Sequence, residues 1–274
     1  MTLLWVLQRN RLVAVGVVLG FLMLVAAVGA PAITPIDPYA QSAADRLTGP
    51  NGHHLMGRDT FGRDVFARVL YGTRVSLTVG VAAVALGALL GLSIGLVAGY
   101  SRGWTENLLM RGVDILMAFP SLLLGLTVLA VLGAGLEKMI LAIGIVLAPP
   151  FARVVHGATL SLAAREFVDA ARCLGASPLR ILGRHILPNL LGETVVLGSL
   201  LTASAIRVEA TLSFIGLGVA PPTPTWGNMI RDGAPLLLNA PWLAIWPGLA
   251  ILFSVLAFNL MGDGLRDALD PRAA

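Results

Sequence analysis

Long apolar runs alternate with polar segments along this chain, and the runs have the length of membrane-spanning helices. Crossing the hydrocarbon core of a bilayer takes about 20 mostly apolar residues. The pattern predicts six spans, which lie at about 11–33, 75–99, 113–133, 139–155, 190–214 and 241–262. The fourth run is short and ends at Pro149-Pro150, so its depth in the membrane stays open.

Composition and charge agree with a multi-pass, all-α membrane protein. Of 274 residues, 57% are hydrophobic and 12% are charged, and the charged share is about half that of a soluble domain. The net charge of +4 comes without an arginine-rich cluster, so we expect no nucleic-acid partner. Arg9 and Arg11 before span one resemble the start of a signal peptide. The long apolar core and the later spans favour a retained helix.

Arginine distribution predicts the orientation of the chain. Arginine is more frequent in the segments that a cytoplasmic N-terminus would place inside, which agrees with the positive-inside rule. This places residues 1–10 and 263–274 in the cytoplasm and residues 34–74 outside. The five-helix core, 75–262, then has the loop 156–189 on the cytoplasmic side.

The stretch 166–188 is a polar island between two apolar regions. Four apolar residues at helical spacing predict one apolar face, while arginine and aspartate fall opposite. The face consists of Phe167, Ala170, Ala171 and Leu174, and the polar side of Arg165, Asp169 and Arg172. Gly175 is predicted to end this helix in the left-handed conformation. Ser177 and Pro178 then begin a second helix, for which Pro188 marks a boundary.

The island resembles the EAA loop of ABC-importer permeases. The resemblance rests on Asp169-Ala170-Ala171, on Gly175 and on Leu187-Pro188. Asp169 stands where the family usually has Glu, and His185 where it often has Ile. The resemblance implies that a cytoplasmic ATPase grips this helix. The residues expected to take part are Glu166, Phe167, Asp169, Ala170, Ala171, Arg172, Leu174, Gly175, Leu187 and Pro188. An ordinary amphipathic helix pair on the surface is the alternative.

Cys173, the single cysteine, is expected to be a small packing residue and excludes an intramolecular disulfide.

The predicted external segment carries a cluster of charges. Asp59 with Arg63, and Asp64 with Arg68, have the i,i+4 spacing of solvated ion pairs. His53-His54 is expected to be a solvated pair. Residues 65–72 predict a short interfacial helix that leads into span two. The pattern Gly62-Arg63-Asp64, with Gly72-Thr-Arg-Val-Ser-Leu77 after it, resembles the second permease subunit of dipeptide, oligopeptide and nickel importers.

A second external segment follows span five and is rich in proline. The run 212–229 resembles the same permeases almost residue for residue. Pro221 and Pro222 should stiffen it, and with Trp226 we expect it to form the outer rim. The rim would also contain Asp59, Gly62, Arg63 and Asp64. Contact with a binding protein is the functional interpretation of this rim.

Within the spans, one stripe of small residues and a few ionisable groups stand out. The stripe, with a spacing of four, consists of Ala83, Gly87, Gly91, Gly95 and Gly99. Small residues at this spacing let a second helix approach closely, inside the bundle or across a permease heterodimer. Arg207 and Glu209 are two apart, so they cannot pair on one helical face. With Phe214 they are candidates for the translocation pathway, and structural pairing with a partner elsewhere is the alternative for the two ionisable residues. Arg111 and Asp114 predict a local ion pair, and Phe119-Pro120 predicts a kink.

Catalytic motifs are absent from the sequence. A P-loop needs Gly-Lys before Ser or Thr, and the single lysine, Lys138, lies between Glu137 and Met139. No nucleophile elbow or zinc-protease motif occurs. The sequence therefore predicts no catalytic residue, no metal site and no cofactor of its own. ATP and Mg²⁺ would be bound by partner subunits.

Taken together, the resemblance implies a type I ABC importer permease with six transmembrane helices and a coupling-helix loop. The implied partners are a homologous second permease, two ABC ATPases and an extracytoplasmic substrate-binding protein, in a bacterial plasma (inner) membrane. Di- or oligopeptides are the implied solutes, with nickel or a metal–chelator complex as the alternative. A secondary transporter or a membrane enzyme remains the alternative of another class.

Overall fold

The computed structural model describes residues 11–269, and most of them are helical. The helices are α1 (Arg11–Ile33), α2 (Val65–Ser101), α3 (Gly103–Ala118), α4 (Ser121–Leu132), α5 (Leu136–Ala163), α6 (Glu166–Cys173), α7 (Pro178–Arg180), α8 (Leu187–Ile215), α9 (Trp226–Gly233) and α10 (Trp242–Leu269). A π-helical turn, Ile181–Ile186, joins α7 to α8, and short 3₁₀ turns lie at Ala43–Asp45 and Ala234–Leu236. Among these residues, five helices are long and apolar enough to cross a membrane, or six if α3 and α4 count as one bent span.

The long helices form a bundle with two distinct ends. α2 and α5 run parallel, because Gly87 meets Leu147 and Gly99 meets Thr159. α8 runs antiparallel to α2, and α1 runs antiparallel to α10. One end, here called the rim end, carries residues 34–64 and 216–241. The opposite end, the knob end, carries residues 164–186.

The predicted small-residue stripe forms the tightest helix contact of the bundle. A Cβ added to Gly95 would lie 2.7 Å from the carbonyl oxygen of Ala152, and one added to Gly87 would lie 2.9 Å from the Cβ of Leu147. No side chain fits at such distances without movement of the backbone. The stripe therefore packs α2 against α5 inside this chain, as the first of the two predicted interpretations has it.

Helix α2 is longer than the predicted span. It begins at Val65 and has 37 residues, about 55 Å at the usual helical rise. The separate interfacial helix predicted for 65–72 is wrong, because that segment continues into the span without a break. Asp64 caps the helix by accepting a hydrogen bond from the backbone N–H of Ala67 at 2.8 Å.

The third predicted span is broken rather than continuous. α3 and α4 meet at an angle of 97°, so the predicted kink at Phe119-Pro120 is confirmed and a single helix over 113–133 is wrong. The predicted Arg111–Asp114 pair is also wrong, because Asp114 pairs with Arg153 of α5. Glu106 of α3 pairs with His156 of α5 at 2.8 Å. These two contacts between helices fix α3 along the knob end of α5.

Two proline positions do not end helices as predicted. α5 continues through Pro149-Pro150 to Ala163, and Pro149 is buried in the bundle. The close packing against the glycines of α2 holds α5 together where proline removes backbone donors. Pro188 lies in the first turn of α8, at the predicted boundary, but the helical stretch does not stop there and runs from Pro178 to Ile215. The π-helical turn before Pro188 widens the helix, and the side-chain amide of Asn189 donates to the carbonyl of His185 at 2.7 Å.

Helix α1 is attached to the bundle by an arginine. Pro31 lies inside α1 and has no N–H, so the carbonyl of Ala27 loses its usual partner four residues ahead. The Nε of Arg74, on α2, donates to this carbonyl at 2.9 Å, and its Nη2 donates to the carbonyl of Val28 at 3.3 Å. Backbone groups in a membrane require such replacement partners.

Candidate functional site

The first candidate site is the knob, formed by α6, α7 and the turn between them. Val168 and Ala171 of α6 are buried and pack against Ile181, Ile186 and Leu190. Phe167, Ala170 and Leu174 are exposed, and Leu174 is 88% exposed. The predicted apolar face is therefore wrong in one respect, since only Ala171 of its four members packs onto the chain. The other three point away from it.

Val168 is not part of the predicted apolar face, although it is the residue that anchors α6 to the bundle. It is fully buried and sets the inner face of α6. Val168 and Ala171 are three residues apart. Phe167 and Ala170, one position earlier, have the same spacing, and Leu174 follows four residues after Ala170. Two apolar stripes lie side by side, and periodicity alone could not decide which one faces the bundle.

The turn after α6 has the predicted geometry. Gly175 has φ +78° and is left-handed. Its N–H donates to the carbonyl of Arg172 at 2.9 Å, and the N–H of Ala176 donates to the carbonyl of Ala171 at 3.0 Å. These are the two bonds of a Schellman cap. Ser177 then caps α7 through the N–H of Arg180 at 3.4 Å.

Charged and apolar groups share the outer surface of the knob. Arg172 binds Asp169 at 3.0 Å and lies 5.4 Å from the ring centre of Tyr100, at the end of α2. The hydrogen bond to Tyr100 raises the pKa of Arg172 above its ordinary value. Leu179 is 83% exposed beside them. Cys173 is exposed as well, so the prediction of a packing role for it is wrong.

Of the remaining knob residues, Glu166 and Asp169 are exposed at the first turn of α6. Leu187 is half-buried and Pro188 is exposed, and both lie beyond the π-helical turn. The knob thus presents two carboxylates, two arginines (Arg172 and Arg180) and three large apolar side chains to whatever lies beyond it.

The second candidate site is the rim, and its charge cluster is buried rather than solvated. The predicted Asp59–Arg63 pair is confirmed, with 2.6 Å between Oδ2 and Nε. The predicted Asp64–Arg68 pair is wrong. Arg68 instead lies 3.6 Å from Asp59 and donates to the carbonyl of Pro38 at 3.2 Å.

Asp64 contacts His54 as well as the N–H of Ala67, and the contact with His54 corrects the prediction that His53-His54 is a solvated pair. Asp64 binds Nδ1 of His54 at 2.8 Å, and the other ring nitrogen of His54 lies 2.9 Å from Arg58. His54 is therefore part of the buried network, while His53 is exposed. Gly62, with φ +71°, presses against the carbonyl of Ser42 and leaves no room for a side chain.

The proline-rich segment is fixed to the bundle by Trp226. This residue is fully buried, and its Nε1 donates to the carbonyl of Val69 at 3.2 Å. Trp226 lies at the rim end and positions the rim from within the bundle, and its part in the rim's function stays a prediction. Pro221 and Pro222 are exposed and joined by a cis peptide bond. Arg68 reaches the carbonyl of Pro222 at 3.5 Å, which connects the two rim segments.

The three candidate pathway residues lie in different surroundings. Glu209 is fully buried and accepts hydrogen bonds from Ser76 at 3.0 Å and Ser213 at 2.8 Å. Arg207 is exposed and donates to Ser204 at 2.9 Å. The two do not pair, as their spacing predicts. Phe214 is 43% exposed. Within this chain Glu209 ties α2 to α8, and the pathway assignment of all three stays a prediction.

The sequence from residue 91 to residue 274 matches the family described as the binding-protein-dependent transport system inner membrane component. This chain belongs to that family. It is a permease subunit of an ABC importer, and the predicted family is confirmed.

Two relatives cover nearly the whole permease. A glutathione transport system permease protein, GsiD, of Pectobacterium atrosepticum is 45% identical over 97% of this chain and 88% of its own length. The dipeptide transport system permease protein DppC of Alkalihalophilus pseudofirmus is 42% identical over 97% of this chain and 88% of its own length.

A solved structure shows the same fold. The MetNI methionine ABC transporter in an inward-facing conformation matches with a TM-score of 0.61. It is 19% identical, and the match covers 74% of this chain and 96% of the other. The permease therefore has the type I importer fold, as predicted.

Proposed function

We propose that this permease imports short peptides across a bacterial inner membrane and is driven by two separate ATPase subunits, one of which grips the knob. The exposed apolar side chains of the knob carry the proposal. Phe167, Leu174 and Leu179 lie outside the predicted spans, and the part of the chain that the structure describes leaves them 40%, 88% and 83% exposed. Amphipathic helices commonly bind a partner by placing such residues in a groove.

The knob is built to transmit a push. α6 packs onto the end of α5 through Val168 and Ala171, and Arg172 touches Tyr100 at the end of α2. α7 continues through the π-helical turn into α8. A force on the knob thus reaches three of the membrane-spanning helices directly. This is the arrangement that mechanical coupling to ATP hydrolysis requires.

Peptides are the proposed solutes, because the relatives that cover nearly the whole chain are named for dipeptide and glutathione transport. A substrate-binding protein would deliver the peptide to the rim end, and a second, homologous permease would complete the pathway. The rim suits docking, since its buried ion network holds the exposed Pro221 and Pro222 in place.

The test uses the complete transporter in proteoliposomes. Leu174→Asp should abolish peptide uptake and peptide-stimulated ATP hydrolysis, because it places a charge in the proposed contact. Ala164→Asp is the matched control, since Ala164 is exposed beside the knob but outside α6 and α7. Uptake should be measured for a dipeptide, glutathione and nickel ions. Normal coupled uptake by the Leu174 variant would contradict ATPase docking, and uptake of nickel alone would contradict the peptide assignment.

A further inference from the structure

A groove of about 800 Å³ lies between α1, α2 and α10 on the outside of the bundle. Its walls are almost entirely apolar and include Val17, Phe21 and Leu24 of α1, Leu77 and Val81 of α2, and Phe258 of α10. Phe21 and Val81 are 63% and 52% exposed, so nothing among residues 11–269 fills the groove. It has the size of a small-molecule site.

Of the residues that the structure describes, Arg74 is the one charged residue that lines the groove. It lies next to Ala27 and Val28, near the rim end of α1, whereas Val17 and Met261 lie toward the knob end. From Val17 to Val28 the groove follows α1 for about 16 Å at the usual helical rise. The groove therefore has a long apolar body and one cationic end.

Arg74 is held in place with donors to spare. Its bonds to the carbonyls of Ala27 and Val28 use two of the five N–H groups of a guanidinium. The side chain is exposed at the mouth of the groove. The remaining donors can bind an anion, and a planar guanidinium suits phosphate oxygens.

We propose that the groove binds a membrane phospholipid, with an acyl chain along α1 and the phosphate on Arg74. The charge distribution of the groove favours a phospholipid over a transmembrane helix of a partner subunit. An apolar helix would cover Arg74 and leave its free N–H groups without acceptors, which is costly in lipid. A phospholipid supplies both an apolar chain and an anion at the bilayer boundary. The site does not depend on which solute the permease imports.

The first test fills the groove without touching Arg74. Ala82 lines it and is half-buried. In the complete transporter, titrated with dioleoyl phosphatidylglycerol and measured by native mass spectrometry, Ala82→Phe should lose most of the bound lipid. Ala26→Phe is the matched control, because Ala26 lies on α1 but does not line the groove. It should bind as the unmodified transporter does. Equal lipid binding by both variants would overturn the proposal.

The second test removes the anion contact while α1 stays intact. Pro31→Ala restores a backbone donor for Ala27, so Arg74→Gln can be studied in that background. The double variant should bind phosphatidylglycerol about fivefold more weakly than Pro31→Ala alone, the effect of one basic residue near a membrane surface. Dioleoylglycerol, which lacks the phosphate, should bind both equally. An equal loss for both lipids would overturn the phosphate contact.

The third test checks for a protein occupant. Val81→Cys with Cys173→Ser places one cysteine in the groove. In the assembled transporter this cysteine should react with a lipid-soluble thiol reagent and should form no cross-link. A cross-link to the second permease would show that a helix fills the groove, and would overturn the lipid site.

Discussion

At the residue scale, polar side chains hold the helices through hydrogen bonds to backbone carbonyls. Arg74 supplies a donor to the carbonyl of Ala27, which Pro31 leaves without one. Trp226 donates to the carbonyl of Val69 in α2. The bonds of Arg74 and Trp226 join segments whose packing the bilayer cannot drive, because lipid is as apolar as the side chains.

The Arg74–Ala27 hydrogen bond predicts that a second substitution, Pro31→Ala, compensates for the loss of the arginine. Arg74→Gln should lower the free energy of unfolding in detergent by about 1.5–3 kcal/mol, the usual range for a hydrogen bond to a charged group. In the Pro31→Ala background the same change should cost clearly less, because residue 31 then donates to Ala27. The double-mutant cycle is measured by chemical denaturation. Equal costs in both backgrounds would show that this bond does not hold α1.

At the element scale, the packing of α2 against α5 decides which helices persist. α5 keeps its helical path through Pro149-Pro150 while its buried face lies on the glycine stripe. Within residues 11–269, α3 and α4 pack much less extensively against the other helices, and the chain there bends by 97° at Phe119-Pro120. The same kind of residue thus ends one helix and not another, depending on what packs beside it.

Gly95→Leu should disrupt this contact. A Cβ at Gly95 would lie 2.7 Å from Val155 and from the Ala152 carbonyl, so overpacking should cost about 1–3 kcal/mol or more. Gly157→Leu is the matched control, because a Cβ there meets nothing within 4 Å. The yield of assembled transporter after size-exclusion chromatography measures the effect. An equal yield for both variants would mean that α2 and α5 do not need close contact.

At the scale of the whole molecule, the two ends of the bundle differ in construction. The rim end is fixed by buried ion pairs among Asp59, Arg63 and Arg68. The knob end leaves Phe167, Leu174 and Leu179 exposed. A rigid rim and an uncovered knob suit a subunit that receives solute at one end and a mechanical input at the other.

Labelling of Cys173 tests the proposed orientation of these ends. Cys173, the single cysteine of the chain, is exposed on the knob. A membrane-impermeant maleimide should label it in inside-out vesicles and not in intact spheroplasts. Leu238→Cys with Cys173→Ser is the reverse control, because Leu238 lies at the rim end and is 99% exposed. Labelling of Cys173 from outside would invert the topology and contradict ATPase docking.

The sequence alone determined the features that depend on local chemistry and on length. Apolar runs fixed the all-α membrane class, because a bilayer requires helices whose backbone groups bond internally. Gly175 and Ser177 fixed the turn of the knob, since only local geometry decides a cap. The family motifs fixed the identity of the subunit.

Tertiary structure decided everything that depends on a neighbour distant in sequence. It set Val168 rather than Phe167 toward the bundle, because two apolar stripes compete and only the position of α5 selects one. It paired Arg68 with Asp59, and Asp114 with Arg153, since an i,i+4 or i,i+3 spacing permits a contact but cannot exclude a better partner. It allowed α5 to continue as a helix through Pro149 and Pro150, because the contacts with α2 outweigh the local cost of the missing backbone N–H donors.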